Sequence, residues 1–187
     1  MSPDRPAGYG PAMAAIVSAL ADRAVLVTGG NGGIGLAMAQ ACGRAGAQIV
    51  IWGRNEVKNA EAVADLRSEE ITAHAFVADV ADEHSVDAAF AASVEAVGGH
   101  IDSVFANAGR GGTGTRFVDT SLADWRAVMA TNLDGVFLTF RAAAIMDQGQ
   151  TGMVEAAHAK KFATRAALNT YIECVKLTRR RAPMISE

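Results

Sequence analysis

The sequence predicts an α/β protein built on a doubly wound, three-layer parallel sheet. Three observations favour this fold: short apolar runs recur along the chain, the segments between them are long enough for crossover helices, and capping residues mark where helices begin. The runs typical of buried parallel strands are residues 24–27, 48–52, 73–78 and 101–106. Right-handed crossovers between such strands place helices on both faces of the sheet.

Each predicted helix follows one of these runs. Asn55, Asp82 and Ser121 can accept hydrogen bonds from a first helical turn, and Asp124 completes the spacing of a capping box after Ser121. The predicted helices span residues 34–45, 55–67, 82–96 and 121–146. Because strands and helices alternate, the ligand of such a sheet is expected beyond the carboxyl ends of the strands, where the strand order reverses.

Length and composition indicate one domain over residues 1–187. Half of the 187 residues are hydrophobic, which is enough for one sizeable core, and no composition break suggests a second. We expect a loose tail over residues 1–19, a core over 20–144 and a divergent segment over 145–187. The net charge of −3 argues against a general binder of nucleic acid or anionic membranes.

The positions of the cysteines and histidines and the lengths of the apolar runs argue against a metal site, a disulfide framework and a membrane helix. Cys42 and Cys174 have neither metal-type spacing nor a disulfide framework, which fits the reducing cytoplasm, and the four histidines lack ligand spacing, so no metal is predicted. No apolar run approaches the roughly 20 residues of a membrane helix. A soluble protein is expected.

The segment after the first predicted strand is rich in glycine. Residues 28–35 read Thr-Gly-Gly-Asn-Gly-Gly-Ile-Gly, whereas a plain tight turn needs only one or two glycines. Glycines let the backbone approach a ligand, and free N–H groups at a helix start favour an anion. No Gly-Lys-Ser/Thr ends the loop, which excludes a triphosphate P-loop and favours a dinucleotide. The predicted cofactor-binding residues of this loop are Gly29, Asn31, Gly32, Gly33, Ile34 and Gly35.

The end of the second strand bears on the choice of cofactor. An NAD site would usually have an Asp or Glu about 20 residues past the glycines, to hold the ribose 2′-hydroxyl. Gly53 holds that place here, with Arg54 beside it. An uncharged residue followed by a cation suits a 2′-phosphate, which favours NADP, with NAD as the alternative. Arg54 as an ordinary exposed cation is the competing interpretation.

Three further motifs join the glycine loop. Asp79-Val80 follow the third strand, Asn107-Ala108-Gly109 follow the fourth, and Asn132 lies in the predicted long helix. In this order and spacing, the four motifs resemble the short-chain dehydrogenase/reductase family over about residues 20–144. The resemblance implies a Rossmann-type sheet, an NADP or NAD cofactor, homo-oligomers, and hydride transfer between the nicotinamide and a small carbonyl or alcohol.

The resemblance also implies roles for individual residues. Asp79 would accept a hydrogen bond from the adenine amino group, with Val80 against the ring. Asn107 would tie neighbouring strands together, while Ala108 and Gly109 leave room beside the cofactor.

Asn132 is a candidate catalytic residue that can also be interpreted without the family. Its helical spacing places it among apolar residues, namely Trp125, Val128, Met129, Val136 and Phe140. One interpretation is a core asparagine bonded to a backbone group; the other, implied by the resemblance, is a residue that distorts the helix and holds a water in a proton relay. Both require a buried, hydrogen-bonded amide.

The proton-transfer part of the family pattern is incomplete. There is no Ser between Ser121 and Ser186 to match the family's catalytic serine, and the candidate catalytic pair Tyr171 and Lys176 is spaced by five residues rather than four. On a helix, a step of five places two side chains about 140° apart. An alternative alignment puts Lys161 and Arg165 at the tyrosine and lysine positions, and contains no phenol.

Two functions therefore compete. The first is an NAD(P)-dependent oxidoreductase of the short-chain type; the second is a catalytically silent relative or truncated subunit that binds cofactor without turnover. For Tyr171, core packing is the competing interpretation. The last strands and the substrate-covering segment of the family have no counterpart, so we expect a sheet that is incomplete at its C-terminal side. The resemblance also implies that oligomers form through the helix at 121–146 and the predicted helix near 157–178.

Overall fold

Strands and helices alternate along the chain, as the apolar runs predict. The computed structural model describes residues 19–112, 114 and 116–147. In chain order the elements are β1 (Ala24–Thr28), α1 (Gly33–Arg44), β2 (Gln48–Gly53), α2 (Glu56–Ser68), β3 (Ala73–Val77), α3 (Glu83–Ala96), β4 (Ser103–Phe105), a 3₁₀ turn (Phe117–Asp119), α4 (Leu122–Met129), a π-helical turn (Ala130–Asp134) and α5 (Gly135–Asp147). The predicted α/β class is confirmed.

The described strands form one parallel sheet in the order β3-β2-β1-β4. Val27 of β1 pairs with Ile51 of β2 on one side and with Phe105 of β4 on the other. The chain thus moves outward from β1 to β3 and then returns across the sheet to β4. The strand order reverses between β1 and β4, so the carboxyl ends of these two strands border the crevice where such sheets bind ligands.

The two central strands form the core. Val25, Leu26 and Val27 of β1, like Ile49 and Ile51 of β2, are almost completely buried, because neighbouring strands and helices cover them on every side. The expectation of an equally buried third strand is wrong: in β3 only Ala73 is buried, since β3 lies at the edge of the sheet.

Trp52 fixes the carboxyl end of β2. Its side chain is fully buried, its indole N–H donates to Ser93 Oγ at 2.9 Å, and its ring meets Phe90 edge to face with centroids 6.0 Å apart. Its backbone oxygen accepts from the N–H groups of Gly29 at 2.8 Å and Gly30 at 3.3 Å. The glycine segment after β1 is therefore anchored to a fully buried residue of β2.

Helix capping agrees with the sequence in α2, α3 and α4. The side chains of Asn55, Asp82 and Ser121 accept from the N–H groups of Lys58, Ser85 and Asp124, respectively. The predicted helix 121–146 differs in one respect, because the π-helical turn divides it into α4 and α5.

The segment Leu122–Met146 is long and apolar enough to cross a membrane by length and composition alone, contrary to the sequence expectation. Core helices of soluble proteins meet the same criteria. Thr139, Ala142 and Ala143 are buried, and Arg141 pairs with Glu83 of α3, so α5 uses one face to pack on the described domain. Trp125, expected on the apolar face, is 47% exposed.

Asp102 joins the beginnings of β1 and β4. Its carboxylate accepts from Arg23 Nη1 at 2.6 Å and from the N–H of Ala24 at 2.8 Å, while its own N–H donates to the Ala24 oxygen at 2.9 Å. Burial raises the pKa of Asp102, but the hydrogen bonds from Ala24 and Arg23 outweigh it, and the pKa lies below its ordinary value. The ionised carboxylate therefore helps to hold β1 and β4 in register.

We expect Asp102→Asn to lower the free energy of unfolding by about 1 kcal/mol at pH 7, because charge-assisted hydrogen bonds to β1 are lost. A folded-state pKa below the unfolded value of about 3.9 stabilises the fold above that pH, and the contribution is lost as pH falls through the folded pKa. In thermal melts between pH 7 and pH 3, the difference in Tm between wild type and Asp102→Asn should narrow as the pH falls below about 4. The exposed Asp119→Asn serves as control; a difference of the same size at both ends of the range would contradict the assignment.

Candidate functional site

The glycine segment, α1 and the chain after β4 meet at close range. Gly29 has φ +66°, and a Cβ there would lie 3.0 Å from Ala108 Cα. A Cβ on Gly35 would collide with the Gly29 carbonyl and lie 2.7 Å from Asn107 Nδ2. Neither position accepts a side chain without moving the backbone, so these glycines are required for the three segments to touch.

The N-terminus of α1 differs from those of α2, α3 and α4. Gly32 occupies the cap position, no side chain accepts from the first turn, and no acidic residue lies in that turn. The other three helices each have a side-chain cap and an acidic residue in the first turn. The N–H groups and positive dipole end of α1 are thus left for another anion.

Open space lies in front of this helix start. A Cβ on Gly32 or Gly33 would meet no atom within 4 Å, and Ile34 is 72% exposed. Since glycines 29 and 35 are packed against protein while 32 and 33 face open space, the segment has a protein side and a ligand side. This cradle fits a phosphate or pyrophosphate group.

Thr28 and Asn107 tie the carboxyl ends of β1 and β4. Thr28 Oγ1 accepts from the N–H of Ala108 at 2.9 Å, and Asn107 Nδ2 donates to the Thr28 oxygen at 3.1 Å. Asn107 thus makes the strand tie that the resemblance implies. The part played by Thr28 was not predicted, although its place at the end of a buried strand marks it as a hydrogen-bonding residue.

Arg54 and Asp79 lie together where β2 and β3 end. Arg54 is 66% exposed, and its Nη1 lies 3.9 Å from Asp79 Oδ2. Asp79 Oδ1 accepts from the N–H of Ala81, and the N–H of Asp79 donates to Ser85 Oγ, each at 3.0 Å. The carboxylate is therefore oriented by its own turn, and a cation and an acceptor flank the same edge of the sheet.

An amide pair that sequence reasoning missed lies beside them. Asn59 of α2 is 3% exposed, and its Oδ1 accepts from Asn31 Nδ2 at 2.7 Å. The signal was present in the sequence: Asn59 shares the buried stripe of α2 with Ala62 and Leu66, at positions i, i+3 and i+7. A polar residue on such a stripe needs partners, and the nearest carbonyls lie at the strand ends.

Val80 is packed beneath α5 rather than open to the crevice. It is 6% exposed, and its Cγ2 would lie 2.7 Å from a Cβ on Gly135. Gly109 is exposed, and a Cβ there would lie 3.2 Å from Asn132 Oδ1. The contact between Val80 and the adenine ring that the resemblance implies stays a prediction.

Asn132 lies within the π-helical turn Ala130–Asp134. Its Oδ1 accepts from the N–H of Arg110 at 2.8 Å, and its Nδ2 donates to the Arg110 oxygen at 2.9 Å. The helix distortion and the hydrogen-bonded amide agree with expectation. The expected burial is wrong: Asn132 is exposed, because the loop after β4 supplies its partners from the surface.

The remaining candidate catalytic residues, Tyr171 and Lys176, lie outside the described residues, as do Lys161 and Arg165 of the alternative alignment. Their arrangement stays a prediction. Within the described ranges, no group of three or more His, Cys, Asp or Glu residues could hold a metal ion.

Comparison with known proteins agrees with this geometry. A family profile described as short chain dehydrogenase matches residues 23–157. The L-rhamnose 1-dehydrogenase (NAD(P)(+)) of Azotobacter vinelandii is 36% identical over 159 residues, covering 81% of this chain and 61% of that protein. The galactitol 2-dehydrogenase of Rhizobium johnstonii is 39% identical over 122 residues, covering 65% of this chain and 46% of that protein.

A solved structure is also similar to this chain. The crystal structure of an actinorhodin polyketide ketoreductase variant with NADPH has a TM-score of 0.65 and 32% identity, and the match covers 71% of this chain and 49% of that one. The chain spans 21% to 61% of the length of the curated relatives compared with it. The profile covers well over half of the sequence and agrees with the observed sheet order and glycine segment, and the chain belongs to the short-chain dehydrogenase/reductase family.

Proposed function

We propose that this chain binds a nicotinamide dinucleotide, NADP in preference to NAD, and acts as an oxidoreductase on a small carbonyl or alcohol. The observation that carries the proposal is the uncapped N-terminus of α1, which opens beside the point where the strand order reverses. A helix start with no protein anion and open space in front of Gly32 and Gly33 suits the pyrophosphate of a dinucleotide.

The ends of β2 and β3 would hold the adenosine half. Arg54 offers a guanidinium to a 2′-phosphate, and Gly53 beside it carries no carboxylate to repel that group. Asp79 is held by its own turn so that its carboxylate can accept from the adenine amino group. The ketoreductase solved with NADPH supports the same choice, whereas the L-rhamnose dehydrogenase is named for either cofactor.

A bound nicotinamide supplies or accepts hydride at its C4 position. In our proposal, Tyr171 moves the proton on the substrate oxygen. Because a five-residue step on a regular helix places Lys176 about 140° away from Tyr171, Lys176 could lower the phenol pKa from its ordinary value of about 10 only if the segment departs from a regular helix. Asn132 holds the distorted turn beside the loop after β4, where it would position a water of the proton relay.

We also propose a cytoplasmic homo-oligomer. Trp125, Leu133 and Phe137 on the α4–α5 segment are exposed apolar side chains, and their burial against a second copy would remove them from water. Sedimentation of the full chain would measure the oligomeric state directly, and a monomer at micromolar concentration would reject the proposed homo-oligomer.

Gly33→Ala should weaken NADPH binding at least tenfold. Gly33 has φ +52°, so a side chain there strains the backbone and enters the open space before α1. Gly98→Ala is the matched control, because Gly98 also has a positive φ, +86°, and open space around it, but it follows the C-terminal end of α3; the NADPH affinity of this variant should stay within about twofold of wild type. Quenching or enhancement of nicotinamide fluorescence measures both, and equal effects of the two variants would count against the helix-start site.

Arg54→Ala should raise the Kd for NADPH about tenfold and leave that for NADH within about twofold, because only the former carries the 2′-phosphate. Lys58→Ala removes another exposed cation of the neighbouring helix and should change neither. An unchanged ratio of the two affinities in Arg54→Ala would remove the proposed role.

Tyr171→Phe should lower kcat on a ketone substrate by about 100-fold or more while leaving the Kd for NADPH unchanged, because a phenol that transfers a proton touches turnover and not cofactor binding. A panel of small ketones with the full chain provides the assay. NADPH binding with no turnover of any substrate would instead support the catalytically silent relative that the missing serine suggests.

A further inference from the structure

The amide pair of Asn31 and Asn59 bridges the glycine segment and the ends of two strands. Asn59 Nδ2 donates to the Gly53 oxygen at 2.9 Å and to the Phe76 oxygen at 3.2 Å, and its Oδ1 accepts from Asn31 Nδ2 at 2.7 Å. One buried side chain of α2 therefore holds three segments that meet at the proposed adenosine site.

The direction of these hydrogen bonds is fixed. Both N–H groups of Asn59 face carbonyl oxygens, so only its Oδ1 can face Asn31. Asn31 must then present its Nδ2 to Asn59, and its own Oδ1 points away from Asn59. The orientation of the Asn31 amide on the glycine segment is thus decided by a residue 28 positions further along the chain.

The same pair occupies the space of a side chain at position 53. A Cβ on Gly53 would lie 2.5 Å from Asn59 Oδ1 and would collide with the amide of Asn31. The amide of Asn59 cannot easily give way, because the residue is 3% exposed and bonded to three partners. A larger residue at position 53 therefore requires the pair to break.

We propose that Asn59 is a positioning residue for cofactor selection. It holds the Asn31 amide over Gly53 and thereby excludes the carboxylate that would bind a ribose 2′-hydroxyl at this strand end. The groups left beside the ribose are a neutral amide and the guanidinium of Arg54, which suit a 2′-phosphate. The inference rests on the proposed function, since it concerns the same dinucleotide site.

The test compares Gly53→Asp in three backgrounds of the full chain: wild type, Asn59→Ala and Leu66→Ala. In the wild-type background the aspartate has no room, so NADPH binding should weaken with no gain for NADH. In the Asn59→Ala background the space opens and the Asn31 amide is released, so the ratio of NADH to NADPH affinity should rise at least tenfold over that of Asn59→Ala alone. Leu66 is fully buried in the same helix, two turns after Asn59, so its variant controls for lost stability.

A second measurement keeps the inference testable if Gly53→Asp does not fold in the wild-type background. The Kd for 2′,5′-ADP, which reports the adenosine half alone, should rise about fivefold in Asn31→Ala and in Asn59→Ala, and no further in the double variant, since Asn59 acts through Asn31. Leu66→Ala should leave it within about twofold.

The outcomes separate the two proposals. Wild-type protein that binds neither NADPH nor 2′,5′-ADP would overturn both. If the wild type binds, two results would overturn the positioning role of Asn59 and leave the dinucleotide site standing. One is a double variant in which the effects of Asn31→Ala and Asn59→Ala on the Kd multiply. The other is an equal gain of NADH affinity from Gly53→Asp in every background.

Discussion

The site depends on the close approach of three backbone segments at the carboxyl ends of β1, β2 and β4. Gly35 of α1 lies against the Gly29 carbonyl with no room for a Cβ, and the segment is bonded to the Trp52 oxygen on one side and faces Ala108 on the other. This contact directs α1 so that its N-terminus faces open space at the reversal of strand order. If the segments stood further apart, the helix dipole would not reach the same crevice as the strand ends.

Charge and hydrogen bonding follow from that arrangement. The helices whose N-termini need no ligand are closed by their own caps and acidic residues, whereas α1 has neither within its first turn. The cation Arg54 and the acceptor Asp79 stand at the neighbouring strand ends, where each can meet a different part of one nucleotide. The candidate binding groups thus lie at the carboxyl ends of the strands. Asp102 stabilises the opposite, amino ends of β1 and β4.

Local signals predicted most of the fold, because strands, caps and the glycine segment depend on near neighbours in the sequence. Asn55, Asp82 and Ser121 cap the helices they were expected to cap. Two expectations failed for tertiary reasons. β3 was predicted to be buried like β1, but its place at the edge of the sheet exposes it, and Asn132 was predicted to be buried, but the backbone of Arg110 satisfies its amide at the surface.

The sequence by itself determined the α/β class, the glycine segment at the start of α1 and the family, since each is written in short motifs whose meaning is local. Only the tertiary structure decided why position 53 is glycine. Asn31 and Asn59 stand 28 residues apart, and neither predicts the other, yet their amides meet in the space that a side chain at 53 would fill. Such a contact follows from the packing of α2 against the ends of β2 and β3, and packing between distant segments is the information that periodicity and motifs do not contain.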